Sequence, residues 1–262
     1  MRDVVETFEY KGYTIKVYQD EDSMNPRTDW DNACTMTCLH RRYNLGDKHH
    51  WDDSEGFLWD IAHMDDRLGR TADFNWDGVL KKWDSKNQYL MEQAKKINFI
   101  LPLFLYDHGG ITMSTGSFGC RWDSGQVGWL WISKERARGE WPLNPEESQE
   151  EWENRVHSYM EGEVEVYDHY LTGQVYSYVI KDEDEDIVDS CGGWFGDYEP
   201  GKGEPSESGL YEEAVSMIDH AIERKAKEEA NRISRLVKLH VNKLKGYIKN
   251  HVPMIYRKSL QL

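Results

Sequence analysis

The chain has 262 residues, 39% of them hydrophobic and 13% aromatic with 11 tryptophans, enough for one large domain, or a domain with an appendage, built on few, large side chains. Its formal charge of −16 argues against ordinary nucleic-acid binding over most of its surface, and no run approaches the roughly 18 apolar residues of a spanning helix. With no signal-peptide apolar stretch in MRDVVETFEYKGY, and with four scattered cysteines (Cys34, Cys38, Cys120, Cys191), the sequence reads as a soluble cytoplasmic protein with reduced thiols.

Charge is distributed unevenly. Residues 223–262 hold 11 Lys/Arg and 3 Asp/Glu, a net of +8, whereas the first 222 hold 21 and 45, a net of −24. An acidic body joined to a basic helical tail suggests association driven by charge, including imitation of a nucleic acid toward a basic partner.

In chain order, FEYKGYTIKVYQ (8–19) predicts a hairpin turning at Lys11-Gly12, with Tyr13, Ile15 and Val17 on one face. DEDSMNPRTDWDN (20–32) reads as a polar loop broken at Asn25-Pro26. A strand over Ala33–His40 places Cys34, Met36 and Cys38 on one face, with a turn at 44–47. A short helix is expected around Phe57–Leu68. A longer one, Trp76–Ile97, has apolar positions near a 3.6 period.

The chain is organised around Ile97–Glu135. An apolar strand (Phe99–Tyr106) changes abruptly into Asp107-His108-Gly109-Gly110, and a second strand (Val127–Ile132) closes the stretch. A core strand ending in a polar, glycine-rich turn is where a scaffold displays working residues, which singles out Asp107, His108, Thr112, Ser114, Cys120, Trp122 and Asp123 for binding. Asn144 as N-cap, Pro145 at N1 and glutamates in the first turn predict a helix running to Leu171, stopped at Gly173. Strands follow at Gln174–Lys181 and Ile187–Trp194. The second lies in DSCGGWFGD, whose Trp194 and Asp197 are expected beside the central turn because both segments carry Cys, Trp and Asp. Residues 197–209 have linker composition. From Leu210 to Ile248 a long helix carries Ile233, Leu236, Val237, Val241, Leu244 and Ile248 as an apolar seam, read as a surface for self-association.

Three chemistries compete at the centre. Glu161, Glu165 and either Asp168 or His169 fall at helical spacing and, with Asp107 and His108, would make a carboxylate–imidazole metal site; a metal-dependent hydrolase would use Glu161, Glu165, His169 and Asp107. HExxH, paired CxxC and EF-hand patterns are all missing, so neither a metal nor any other cofactor is assigned. Cys120, His108 and Asp107 or Asp123 are the residue types of a thiol triad, but adjacent Asp107 and His108 point to opposite faces of a strand. The glycines match no phosphate-binding motif, although Trp122, Trp129 and Trp131 with Arg121 would suit stacking of a nucleotide signal.

DWDNACTMTCLHRRYNLGD, LPLFLYDHGGITMSTGSFGCRWDSGQVGWLWISKE, EVEVYDHYLTGQVYSYVI and VDSCGGWFGD together resemble a family encoded by bacteriophages and mobile elements, over most of residues 25–197. No activity is assigned to that family, so the resemblance carries over no catalytic residue. It implies an accessory protein in a bacterial cytoplasm, of a kind that often acts on host defence machinery.

The expected architecture is α+β: a mostly antiparallel sheet with flanking helices (1–196), a linker (197–209) and a basic helical extension (210–262). The expected function is non-enzymatic binding and inhibition of a host defence or nucleic-acid-processing complex that presents a basic surface. Homo-oligomerisation through the C-terminal helix is expected, without membrane contact and without direct DNA binding by the acidic body. A pocket that sequesters a nucleotide signal and a metal-dependent hydrolase are the alternatives.

Overall fold

The structure, a computed structural model, describes residues 4–64, 66, 74–196, 209–251 and 256. The fold is α+β, with two four-stranded antiparallel sheets and a long C-terminal helix. The chain divides into two compact units: Met1–Tyr18, Ser177–Cys191 and Pro200–Leu262 form one, Gln19–Tyr176 and Gly192–Glu199 the other. The C-terminal helix therefore shares a unit with the N-terminal hairpin, a different division from the body, linker and extension read in the sequence. The 197–208 segment lies outside the described residues.

In the first unit, β1 (Val4–Tyr10) and β2 (Tyr13–Gln19) form the expected hairpin, with Lys11 and Gly12 at φ of 49° and 82° in its turn. Its sheet runs β1-β2-β7-β8, with β7 Val175–Lys181 and β8 Ile187–Phe195. Ile15, Val17, Tyr178 and Ile180 are buried, as are Leu210, Ala214, Ile218 and Ala221 of the C-terminal helix α6 (Gly209–His251). The first turns of α6 are fixed by an edge-on Phe8–Tyr211 contact at 5.3 Å and by Lys11 Nζ on Asp219 at 2.8 Å. Farther along, Lys225 Nζ reaches Asp182 at 3.2 Å.

The second unit holds the sheet β3-β6-β4-β5, made of β3 (Thr35–Cys38), β4 (Asn98–Asp107), β5 (Ile111–Ser114) and β6 (Ser124–Ser133). Both faces are covered, which explains why β4 reads as a nearly continuous apolar run. On one side Met36, Leu103, Leu130 and Ile132 share a cluster with Trp152, Val156, Met160 and Tyr167 of α5 (Gln149–Thr172). On the other, Ile100, Trp129 and Trp131 join a cluster with Phe57 and Leu58 of α1 (Ser54–Ile61) and Leu90 of α3 (Lys86–Ala94). Gly128 permits the close β3–β6 approach, since a Cβ there would stand 1.9 Å from the Thr37 carbonyl oxygen.

Three expectations about elements are corrected. The helix expected over Trp76–Ile97 is two helices, α2 (Trp76–Leu80) and α3, because Ser85 caps a fresh start by accepting the Gln88 N–H. The helix expected from Pro145 begins at Gln149: Ser148 and Glu151 close a reciprocal capping box, while Asn144 is taken up in a turn with Glu147. Residues 111–114, expected as part of a polar connection, form edge strand β5. A short helix, α4 (Lys134–Glu140), follows β6 directly.

Candidate functional site

The β4–β5 hairpin turns through His108-Gly109-Gly110, with Gly109 at φ 74°, and the Asp107 N–H donates to the Asp123 carbonyl at 2.8 Å. This brings the two ends of the central stretch together. His108 Nδ1 lies 3.1 Å from Asp123 Oδ2, and the Cys120 thiol donates to the same oxygen at 3.8 Å. Cys120 is further held by Ser124, whose hydroxyl donates to its carbonyl. Asp107 points away from this group, as the alternation of a strand requires: it accepts the Tyr43 hydroxyl at 3.0 Å and lies 3.9 Å from Arg42 Nη1. That hydrogen bond raises the Tyr43 pKa.

The carboxylate therefore stands between thiol and imidazole. A nucleophile–base pair needs the thiol on the imidazole, with the carboxylate behind it. The three residue types meet here in the wrong order for thiol catalysis.

Beside this turn lies a pocket of about 480 Å³, lined among others by His40, Arg41, Arg42, Asp107, Trp122 and Gln126. Its floor exists because β3 stops at Cys38 opposite Gly128 while β6 extends back to Ser124, so the first residues of β6 pair with β4 alone. Trp122, 95% exposed, stands at the rim. His40 Nδ1 accepts the Arg42 and Tyr43 N–H groups at 3.3 and 3.2 Å, which places the ring proton on Nε2. Sequence reasoning missed His40, Arg41 and Arg42; a His-Arg-Arg run in an acidic chain is the signal that could have found them.

Thr112 and Ser114 do not join the turn. They line a separate groove of about 640 Å³ between β5 and α5, with Glu161, Glu165 and Asp168. Asp168 accepts the outward N–H of Met113 at 2.6 Å, which blunts the exposed sheet edge, and its burial raises its pKa. The expected metal constellation is divided: Glu161, Glu165 and the Asp168 alternative face this groove, Asp107 belongs to the other pocket, His108 lies on Asp123, and His169 packs on Gly196, where a Cβ would come within 1.9 Å of the ring. Among the described residues no group of three or more His, Cys, Asp or Glu side chains is placed to hold a metal.

The glycine-rich run of β8 also lies elsewhere than expected. Gly193 N–H donates to Asp20, Phe195 packs edge-on against Trp30 at 4.9 Å, and Gly196 N–H donates to Gln174. Its strand belongs to the other sheet, so likeness of composition did not signal nearness. Asp197 lies outside the described residues. Trp129 and Trp131 are core: Trp129 stacks on Phe57 at 5.1 Å, and Trp131 donates its indole N–H to Thr37 at 3.2 Å. Of the three tryptophans considered for stacking a base, only Trp122 lines the pocket. Cys34 and Cys38 are buried, and burial pushes the Cys38 thiol up to about 12 and raises that of Cys34 further, so neither is a nucleophile at neutral pH.

The seam residues of α6 are exposed. Ile233, Leu236, Val237, Val241 and Leu244 are 52, 47, 56, 41 and 61% accessible, and Ile248 is half-buried. No described helix is long and apolar enough to cross a membrane. No protein-family model, curated protein or solved structure matches this chain.

Proposed function

We propose that this chain is a docking protein, acting through non-covalent association rather than chemistry. The observation that carries the reading is α6: its residues 223–247 are all exposed, yet they bear a continuous line of Ile, Leu and Val. Exposed apolar surface of that extent on a folded element is the mark of a contact surface. Charge supplies the second half of the reading. The unit containing the central turn holds 16 Lys/Arg against 31 Asp/Glu, a net of −15, and is suited to a basic groove on a nucleic-acid-processing or defence complex. The resemblance to phage and mobile-element proteins makes a host complex the natural target, with inhibition by occupancy as the outcome. Trp122 is the exposed aromatic best suited to anchor such a contact.

The test is co-purification from bacterial lysate with the tagged full chain. A basic partner should be retained at low salt, released at high salt, and lost when Glu161 and Glu165 are changed to Lys. Retention that ignores both salt and charge reversal would refute the electrostatic part of the proposal.

A second reading is favoured by the pocket beside the central turn. Arg41, Arg42, the His40 Nε2–H and the Trp122 face offer cationic donors and a stacking surface to a nucleotide-like ligand. A thermal shift with cyclic or dinucleotides, abolished by Arg41→Glu, supports it; a flat screen removes it.

A further inference from the structure

We infer that the C-terminal half of α6 is an arm that lies along an anionic lipid surface. The inference rests on the docking reading above and names the occupant of that helix.

The face in question is not an overshoot of the face that packs on the first unit's sheet. At about 100° per residue, Leu210, Ala214, Ile218 and Ala221 centre roughly 140° around the axis from the exposed line. The apolar positions of the second half thus form a separate stripe, built for something other than the sheet. The stripe is also regular. Ile222, Ala226, Ala230, Ile233, Val237, Val241, Leu244 and Ile248 follow one another at steps of 4, 4, 3, 4, 4, 3 and 4. That is an 11-residue repeat rather than the seven-residue repeat of a left-handed coiled coil. Over its length of about 40 Å the line stays on one side of the helix, as contact with a flat surface requires.

Charge selects the occupant. Residues 230–251 contain Arg232, Arg235, Lys238, Lys243, Lys245 and Lys249 and no Asp or Glu. On the helical wheel Lys238, Lys245 and Lys249 flank the stripe on one side and Arg232 and Lys243 on the other. Pairing with a second copy over residues 230–251, parallel or antiparallel, sets cationic flank against cationic flank, so self-association through this half of the helix is opposed by its own electrostatics. Nucleic acid would satisfy the cations and leave the aliphatic stripe in water. An anionic bilayer satisfies both: aliphatic side chains enter the headgroup boundary while lysines on either side reach back to the phosphates. Leu236 and Leu239, 47 and 51% accessible, lie off the stripe, Leu236 at its flank and Leu239 on the far side.

The experiment is co-sedimentation of the full chain with phosphatidylcholine vesicles, with or without roughly one-third phosphatidylglycerol, alongside sedimentation equilibrium without lipid. Binding should be at least about tenfold tighter to the anionic vesicles, since each basic residue near such a surface adds to the attraction. It should weaken with salt. Val237→Asp with Leu244→Asp, and separately Lys238→Glu with Lys245→Glu, should each lose about tenfold or more while keeping the native circular dichroism, because every changed side chain is exposed. Equal binding to both vesicle types, no binding, or full binding by either variant overturns the inference. Should the chain ignore vesicles but form dimers that Val237→Asp with Leu244→Asp disrupts, the lipid assignment fails and the docking reading stands. Should those changes alter neither self-association nor any captured partner, both fail together.

Discussion

Arg27 sits in a loop between two aspartate-rich stretches, and its side chain is fully buried. Its guanidinium donates to Asp47 Oδ1 and Oδ2 at 3.0 and 2.6 Å, to Glu163 Oε2 at 2.9 Å and to the Cys34 carbonyl at 2.8 Å. The carboxylates are themselves used twice: Asp47 accepts the Met36 N–H at 2.8 Å and Glu163 the Cys34 N–H at 3.1 Å. One side chain thereby ties loop, β3 and α5 together. Removing it leaves two carboxylates facing each other with their cation gone, so Arg27→Ala should cost about 3–5 kcal/mol in urea unfolding. Arg27→Lys should recover only part of that, because an ammonium cannot reproduce the planar fork. A neutral result for the alanine variant would mean that water reaches these carboxylates.

At the scale of elements, the start of α5 is set by electrostatics as much as by its capping box. Arg155 Nη2 and Nε donate to Glu147 Oε2 and Oε1 at 2.7 and 2.8 Å, and these bonds depress the Glu147 pKa from 4.5 to about 2. A carboxyl whose folded value lies below its unfolded value binds fewer protons when folded. Its contribution is complete above about pH 4.5 and is lost as pH falls toward 2. Acid titration of stability should therefore show a shallower decline in that window for Glu147→Gln than for the natural chain; identical acid limbs would contradict the pairing. This helix start also marks where sequence reading fails. Pro145 after Asn144 is a good local start signal, but Ser148 with Glu151 is a better one four residues on, and only the reciprocal hydrogen bonds decide between them. The β1–β2 hairpin, β4, β6, β7 and α6 were legible because their periodicity and their Gly or Asp-rich turns agree. The break before α3 and edge strand β5 rest on local partners, Ser85 on Gln88 and β4 beside β5, but such short segments carry no readable period. The buried Arg27 was not legible because Glu163 is distant in sequence. Of the candidate site, the meeting of His108, Cys120 and Asp123 was legible from the turn between two strands. The order in which they bond, and the arginines of the neighbouring pocket, were not.

For the whole molecule, the decisive contrast is between two helices of similar burial potential and opposite fate. Residues 149–172 carry seven Asp/Glu and one Arg, yet α5 buries Trp152, Val156, Met160, Val164 and Tyr167 and is fixed along its length. In α6 the buried residues end at Ala221, and residues 223–247 are all exposed, Lys225 still reaching Asp182 of the first unit. Helix stability beyond that point depends on local propensity without tertiary packing, which leaves a helix marginal in water even where Lys, Arg and Leu favour it, and Gly246 lowers it further. Amide hydrogen exchange should therefore show a gradient along one continuous helix: slow for 210–222, fast for 230–251, with α5 slow throughout. Engagement of the stripe should convert the fast segment to slow without changing α5, so the same measurement with anionic vesicles or with a captured protein reports which of them orders the arm. Uniform protection along α6 in the isolated chain would mean that the stripe is already covered in solution, and that its occupant is another copy of this protein.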